Sequence, residues 1–294
     1  MDHNDQNSLK QKTARLSIMS NITLVVFKLA VGLAGGAVSI VSEAAHSAVD
    51  LIAALIAYFA VRKAAKPPDA HHAYGHGKVE NLSAAIEAAL IVLAALWIIY
   101  EAVEKLAVEQ TPEYLEYGIA AMGASIVINW YVSRRLMKVA RETHSHALEA
   151  DALHLTADIW TSCGVLGGLA IIKLTGYAWL DPAIAIVVAV VVLKAGYTMT
   201  KKSFYELTDV TLPPEEEELI RSILDAHPAV LAFHQLRTRR SGSRRLIDLH
   251  LVLFQDMHLD KAHAVCDELE AAIEQRLAPC EVIIHMEPYG HQED

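Results

Sequence analysis

Long apolar runs dominate the first two-thirds of the chain. Their lengths match the roughly 20 residues that an α-helix needs to cross the hydrocarbon core of a bilayer. Six such runs lie at residues 16–36, 38–61, 82–104, 114–133, 152–175 and 179–199. The pattern therefore predicts an α-helical membrane protein whose transmembrane domain, residues 13–207, contains six helices. The preceding residues 1–12 are polar and are expected to form a flexible N-terminus.

Basic residues are concentrated in alternate connections between these runs. They precede the first run and follow the second, fourth and sixth, at Lys10, Lys12, Arg15, Arg62, Lys63, Lys66, Lys78, Arg134, Arg135, Lys138, Arg141, Lys201 and Lys202. The cytoplasmic loops of membrane proteins carry an excess of Lys and Arg. Both termini are therefore expected in the cytoplasm, with the lipid bilayer around the six helices.

The pattern of apolar positions changes after residue 208. Pro213 and Pro214 precede four glutamates at 215–218, which predicts a helix with the acidic first turn that its dipole favours. Strand-like alternation follows at 230–238 and 244–254, then a helix at 260–277 and a last strand at 281–287. Residues 208–294 are therefore expected to form a cytoplasmic αββαβ domain of the ferredoxin-like, metallochaperone-like type.

Charge and cysteine content exclude some classes of function. The chain has 294 residues, 53% of them hydrophobic, and a formal net charge of −10. From Asp209 onward, 17 Asp and Glu stand against 8 Lys and Arg, so the tail is not a nucleic-acid binder. The three cysteines, at positions 163, 266 and 280, have no paired spacing, and no disulfide framework is expected.

Two of the apolar runs carry ionisable residues with the same spacing. The second contains His46 and Asp50, and the fifth contains His154 and Asp158. Residues four apart share a helix face, so two facing helices would offer two imidazoles and two carboxylates, a set that suits tetrahedral Zn²⁺. The alternative is two solvated i, i+4 pairs, as in soluble helices. The apolar surroundings favour the metal site, because ionisable groups in mid-membrane are costly and tend to be functional.

One lysine also lies inside an apolar run. Lys28 belongs to the first run, at a depth where a charge is awkward. It is expected to extend its amine towards the interface or to pair with Glu87 of the third run. Both arrangements are favoured over a role as a metal ligand.

A second group of candidate ligands lies in the connection after the second run. Asp69, His72 and His76 are close in sequence there, and Pro67 and Pro68 end the preceding helix. Three such residues can converge on a metal ion with one coordination position left for water. The alternative for a histidine-rich stretch of this kind is a solvated loop.

Strand alternation predicts a third group in the tail. In the second predicted strand Leu249 and Leu251 face the core, so His250 points away from it. The tail ligands are expected to form one cluster, which could hold two metal ions bridged by shared ligands. The candidate residues are His234, His250, His263, His285 and Glu287. The alternative is a set of scattered surface histidines.

At these residues the chain resembles the cation diffusion facilitator family, closest to its bacterial zinc and iron efflux branch. The resemblance includes the paired ligands, the loop that ends in Gly75-His76-Gly77-Lys78, and the αββαβ tail. It implies a homodimeric antiporter of the inner (plasma) membrane that exports a divalent metal cation in exchange for protons. It also implies zinc binding by the tail at the dimer interface and an interlocking salt bridge between Lys78 and Asp209.

The sequence departs from that branch at two positions. His46 stands where the branch usually has Asp, and Glu287 stands where Asp is common. An imidazole in place of a hard oxygen ligand favours Zn²⁺ over Fe²⁺ and Mn²⁺. Zn²⁺ is therefore the expected ion, with Cd²⁺ as the second candidate, and the tail site is expected to be looser.

Two other classes of function compete for the same residues. An intramembrane metallohydrolase would need an open coordination position and a general base such as the Glu of His-Glu-x-x-His. The sequence contains no such motif, so the chain is not expected to be an enzyme. A membrane-bound zinc sensor or regulator without transport activity would explain the tail cluster, but it leaves the membrane quartet unexplained.

Overall fold

Six long helices make up the first part of the computed structural model, which describes residues 3–35, 38–107, 116–175 and 179–290. These helices are α1 His3–Gly35, α2 Val38–Ala64, α3 Lys78–Ala107, α4 Glu116–Thr143, α5 His146–Thr175 and α6 Leu180–Leu207. Each coincides with one of the six predicted apolar runs. Helix α1 packs on α2 and α4, while α5 packs on α2, α3 and α4. Helix α2 also packs on α3, so α2 and α5 each contact three other helices and are central to the bundle.

The helices differ in how apolar they are. Among the described residues, 5–31, 78–104 and 182–207 are long and apolar enough to cross a membrane by length and composition alone. Helices α2 and α5 carry additional ionisable side chains, including Asp50 and Asp151, and these are buried inside the bundle. Large apolar side chains such as Trp97 and Val187 are exposed on the outside, which suits contact with lipid.

The predicted flexible N-terminus, residues 1–12, is helical from residue 3, where α1 begins. The reason is a buried ion pair, in which the Lys10 ammonium lies 3.0 Å from the Glu80 carboxylate of α3. Ser145, which immediately precedes α5, donates a hydrogen bond to the same carboxylate. These contacts hold the starts of α3 and α5 together at one end of the bundle and fix the first turns of α1 there.

The tail forms a second compact unit, residues 205–294. Its elements are α7 Pro214–Ala226, β1 Ala232–Ser241, β2 Arg244–Leu253, α8 Leu259–Leu277 and β3 Cys280–Pro288. The predicted αββαβ order is confirmed. Strand β2 is central, antiparallel to β1 and parallel to β3. The alternation of β2 buries one face, and that face packs on both helices to form the core of the unit.

A buried arginine joins three elements of the tail unit. Arg245 at the start of β2 donates two hydrogen bonds of 2.8 Å to the Glu216 carboxylate of α7. It donates a third, of 2.9 Å, to the backbone carbonyl of Leu277 at the end of α8. Its neighbour Arg244 points outward, with a side chain that is 43% exposed and 3.4 Å from Glu281.

These two arginines provide a matched test of the packing. Arg245→Ala removes three hydrogen bonds made by a buried guanidinium group, although Glu216 keeps Arg240 as a partner, and should lower the free energy of unfolding of the tail unit by about 2 kcal/mol. Arg244→Ala removes an exposed ion pair and should cost less than about 1 kcal/mol. Urea unfolding of residues 205–294, followed by circular dichroism, measures both. Equal losses in the two variants would contradict this account of the fold.

Candidate metal sites

Helices α2 and α5 bring the four predicted membrane ligands into one place. His46 and Asp50 lie one turn apart on α2, and His154 and Asp158 lie one turn apart on α5. One ligand atom from each of His46, Asp50 and Asp158 lies within 4.8 Å of the other two. The fourth residue closes the group, because Nε2 of His154 lies 3.2 Å from Oδ1 of Asp50. We refer to these four residues as the quartet.

Burial and charge favour a cation at the quartet. Asp50 and His154 are only 6% and 7% exposed, so neither is solvated freely. Two carboxylates around a divalent ion balance its charge, and two imidazoles complete a set of four ligands of the kind that zinc binds. An ion there would take the place of the direct contact between His154 and Asp50.

Lys28 of α1 lies beside the quartet. Its ammonium group donates a 2.9 Å hydrogen bond to the Ser47 hydroxyl of α2, and it is within electrostatic range of the Asp158 carboxylate. Glu87, the predicted partner of Lys28, accepts a hydrogen bond from Ser83 instead. The sequence showed that a charge at position 28 is unusual. It could not show which helix would contact Lys28, because that depends on how the helices pack.

The predicted loop group is also assembled. Oδ1 of Asp69 lies 3.1 Å from Nδ1 of His72, and Oδ2 of Asp69 lies 3.2 Å from Nε2 of His76. Gly75 has a φ of +80°, a left-handed conformation that lets the chain turn and bring His76 back over Asp69. One ligand atom from each of the three residues lies within 4.8 Å of the others, so the loop can hold a metal ion.

The loop carboxylate is held in its ionised form. Desolvation acts to raise the pKa of Asp69, but hydrogen bonds from the backbone N–H groups of His71 and His72 and from the His72 ring outweigh it and lower the pKa to about 2. Asp69 is therefore a negatively charged ligand throughout the physiological pH range. Its two oxygens position both histidines.

Strand register assembles the tail group. His234 of β1 is opposite His250 of β2, which is in turn opposite His285 of β3. Glu287 lies beneath them, with its carboxylate 2.9 Å from His234 and 2.6 Å from His250. One ligand atom from each of His234, His250 and Glu287 lies within 4.8 Å of the other two.

Two predicted tail ligands, His285 and His263, lie outside the group formed by His234, His250 and Glu287. Nε2 of His285 is 3.9 Å from Glu287, and its ring centroid is 4.8 Å from that of His250, so it borders the group. His263 is 70% exposed and lies 3.8 Å from Asp267 on its own helix. Within the described single chain it is not part of the group, because α8 turns Ala262 and Cys266 towards the sheet and leaves His263 on the solvent side.

The predicted pair of Lys78 and Asp209 stays a prediction. Lys78 is the first residue of α3, and Asp209 belongs to the tail unit. Within that unit the Asp209 carboxylate lies 3.3 Å from the Arg239 guanidinium group. Asp209 has a φ of 59°, a left-handed conformation that marks the sharp turn of the chain after α6.

Two family models cover nearly the whole chain. One, described as cation efflux transmembrane domain, matches residues 14–208, and the other, described as cation efflux protein, cytoplasmic domain, matches residues 212–289. The chain belongs to the cation diffusion facilitator family. It is a multi-pass membrane transporter for the efflux of metal cations, with a tail of the family's dimerisation type. Members of this family are transporters rather than enzymes.

Full-length relatives agree with this assignment. An uncharacterized transporter of Synechocystis is 36% identical over 95% of this chain and 91% of its own length. The cation-efflux pump FieF of Pectobacterium atrosepticum is 32% identical over 91% of this chain and 89% of its own. A solved structure of a putative zinc transporter, CzrB, is 41% identical over 29% of this chain and 99% of its own, with a TM-score of 0.27.

Proposed function

We propose that this family member exports Zn²⁺ from the cytoplasm in exchange for protons, as a homodimer in the inner membrane with both termini cytoplasmic. The quartet is the observation that carries the proposal. It lies between α2 and α5, with Asp50 and His154 buried, and its two imidazoles and two carboxylates are a suitable ligand set for zinc. Cd²⁺, which prefers similar ligands, is the second candidate for transport.

Proton exchange follows from the chemistry of the proposed ligands. Zinc binds neutral imidazole and ionised carboxylate, so its binding displaces any proton held by these groups. Histidine is the side chain whose ordinary pKa, about 6.5, lies nearest to cytoplasmic pH. We infer that His46 and His154 exchange protons for zinc, and that no separate proton path is needed.

The loop and tail groups have different roles in this proposal. Asp69, His72 and His76 would hold an ion next to the start of α3. The tail group would bind cytoplasmic zinc and stabilise the associated state of the dimer, and Lys78 and Asp209 would form the interlocking salt bridge of the dimer that the family resemblance implies. A sensor without transport activity would use the tail group equally well, and transport measurements separate the two functions.

Zinc flux into sealed vesicles tests the transport proposal. With a proton gradient imposed, the parent protein should move zinc one way and protons the other. Asp158→Ala removes a ligand and should reduce flux by about 100-fold or more. Glu149→Gln, on the same helix but paired with Lys202, is the matched control and should transport at the parent rate. Normal flux in the Asp158 variant would refute the assignment, and a parent without flux would favour the sensor.

Metal selectivity tests the role of His46. His46→Asp replaces an imidazole with a hard oxygen ligand, so the ratio of Mn²⁺ flux to Zn²⁺ flux should rise while some zinc transport remains. His46→Ala is the control, because it removes the imidazole without supplying an oxygen and should lower the flux of both ions. An unchanged ratio in the Asp variant would show that position 46 does not set selectivity.

Zinc-dependent stability tests the role of the tail group. A ligand that binds only the folded state raises its stability, so the melting temperature of the parent tail unit should rise with zinc concentration. His250→Ala should lose most of that rise. His258→Ala changes an exposed histidine paired with Asp260 and should behave like the parent. The same zinc response in all three proteins would contradict binding by the group.

A further inference from the structure

Two buried carboxylates that the proposed mechanism does not use lie on the neighbouring helices α3 and α5 near the quartet. Glu87 of α3 is 0% exposed and Asp151 of α5 is 1% exposed. Each lies within electrostatic range of the other. Because like charges repel strongly where water is excluded, such a pair needs either a compensating positive charge or a bound proton.

The carboxylate oxygens have few hydrogen-bond partners. One oxygen of Glu87 accepts a 3.0 Å hydrogen bond from the Ser83 hydroxyl. The other oxygen of Glu87 and both oxygens of Asp151 have none among the described residues. The Ser17 hydroxyl of α1 lies close to Asp151, and it also lacks a partner of normal hydrogen-bond geometry. Buried carboxylate oxygens without donors are the arrangement expected where a cation binds.

The charges nearby do not neutralise this pair. The His154 imidazole is within electrostatic range of both carboxylates, but its Nε2 already lies 3.2 Å from Asp50. A divalent ion at the quartet would balance Asp50 and Asp158 and leave Glu87 and Asp151 uncompensated. Protons would remove the charges, but each new O–H group would then need an acceptor. A divalent cation compensates both charges and coordinates the free oxygens at once.

The position of the two carboxylates along their helices gives their depth in the bundle. Glu80 and Ser145 are in contact, so α3 and α5 start at the same end. Glu87 is seven residues beyond Glu80, about 10 Å along its helix, and Asp151 is six residues beyond Ser145, about 9 Å along its own. His154 is a further 4.5 Å or so along α5. The pair is therefore level across the two helices, between that end of the bundle and the quartet.

We propose that Glu87 and Asp151, with the Ser17 and Ser83 hydroxyl groups, form a second site for divalent cations inside the bundle. It is an all-oxygen site, in contrast to the quartet, loop and tail groups, which all include imidazole. Its role rests on the proposed transport function: it receives the ion from the cytoplasmic end and passes it to the quartet one turn away. Oxygen ligands alone bind hard ions such as Mn²⁺ readily, so selection for zinc occurs at the quartet.

Mn²⁺ binding to the purified full-length protein tests the site without measuring transport. Electron paramagnetic resonance counts bound Mn²⁺ and separates ions with nitrogen ligands from ions bound by oxygen alone. The parent should bind an additional nitrogen-free Mn²⁺ that Glu87→Gln and Asp151→Asn both lack. Glu149→Gln, which removes a carboxylate two residues from Asp151 but one that is paired with Lys202, should match the parent. Equal counts in the parent and both site variants would overturn the proposal.

Thermal unfolding in the absence of metal covers the case in which a variant binds nothing because it is misfolded. Both amide substitutions keep the side-chain shape and remove one of two repelling charges, so each metal-free variant should melt at a higher temperature than the metal-free parent. Lower melting temperatures would mean that the carboxylates are structural, which contradicts the proposal.

Unchanged Mn²⁺ binding with reduced zinc-driven proton movement would identify a proton site instead and would also overturn the proposal. A parent that binds Mn²⁺ here but moves no zinc would refute the transport function alone.

Discussion

The cost of burying charge away from water organises the transmembrane part of this protein. Every ionisable group inside the bundle must find a compensating charge or a hydrogen-bond partner, since the lipid around it offers neither. Lys10 and Glu80 compensate each other directly, and Lys28 is held by Ser47. At the quartet the two carboxylates of Asp50 and Asp158 are brought together with the two imidazoles. This convergence of oxygen and nitrogen ligands is the physical basis on which a divalent cation would bind there.

The tail unit follows a different rule, because water surrounds it. Its fold rests on an apolar layer between β2 and the two helices, and its histidines stand on the opposite face of the sheet. Alternation along the strands separates the core from the ligands, and the register then aligns three histidines across three strands. A metal group there can respond to cytoplasmic zinc without disturbing the core beneath it. This arrangement is compatible with a regulatory part attached to a transporting part.

The periodicity of the sequence was sufficient to predict the main elements. Apolar runs predicted the six helices, and a period of two predicted the strands on which His250 and Leu249 face opposite ways. Contacts between distant elements were harder to predict. The burial of Lys10 depends on Glu80, 70 residues away, and nothing near either residue signals the pair. His263 was grouped with the tail ligands by residue type alone, whereas the face of α8 on which it lies was set by packing.

The central claim is that zinc binds between α2 and α5 through two imidazoles and two carboxylates. X-ray absorption spectroscopy tests it most directly, on a variant loaded with one zinc ion per chain in which the loop and tail groups are disabled by His72→Ala, His76→Ala, His234→Ala and His250→Ala and the all-oxygen site by Glu87→Gln. The account predicts four light ligands at about 2.0 Å, two of which show the multiple scattering typical of imidazole. A bound zinc with fewer than two imidazoles, or with a six-oxygen shell, would contradict it.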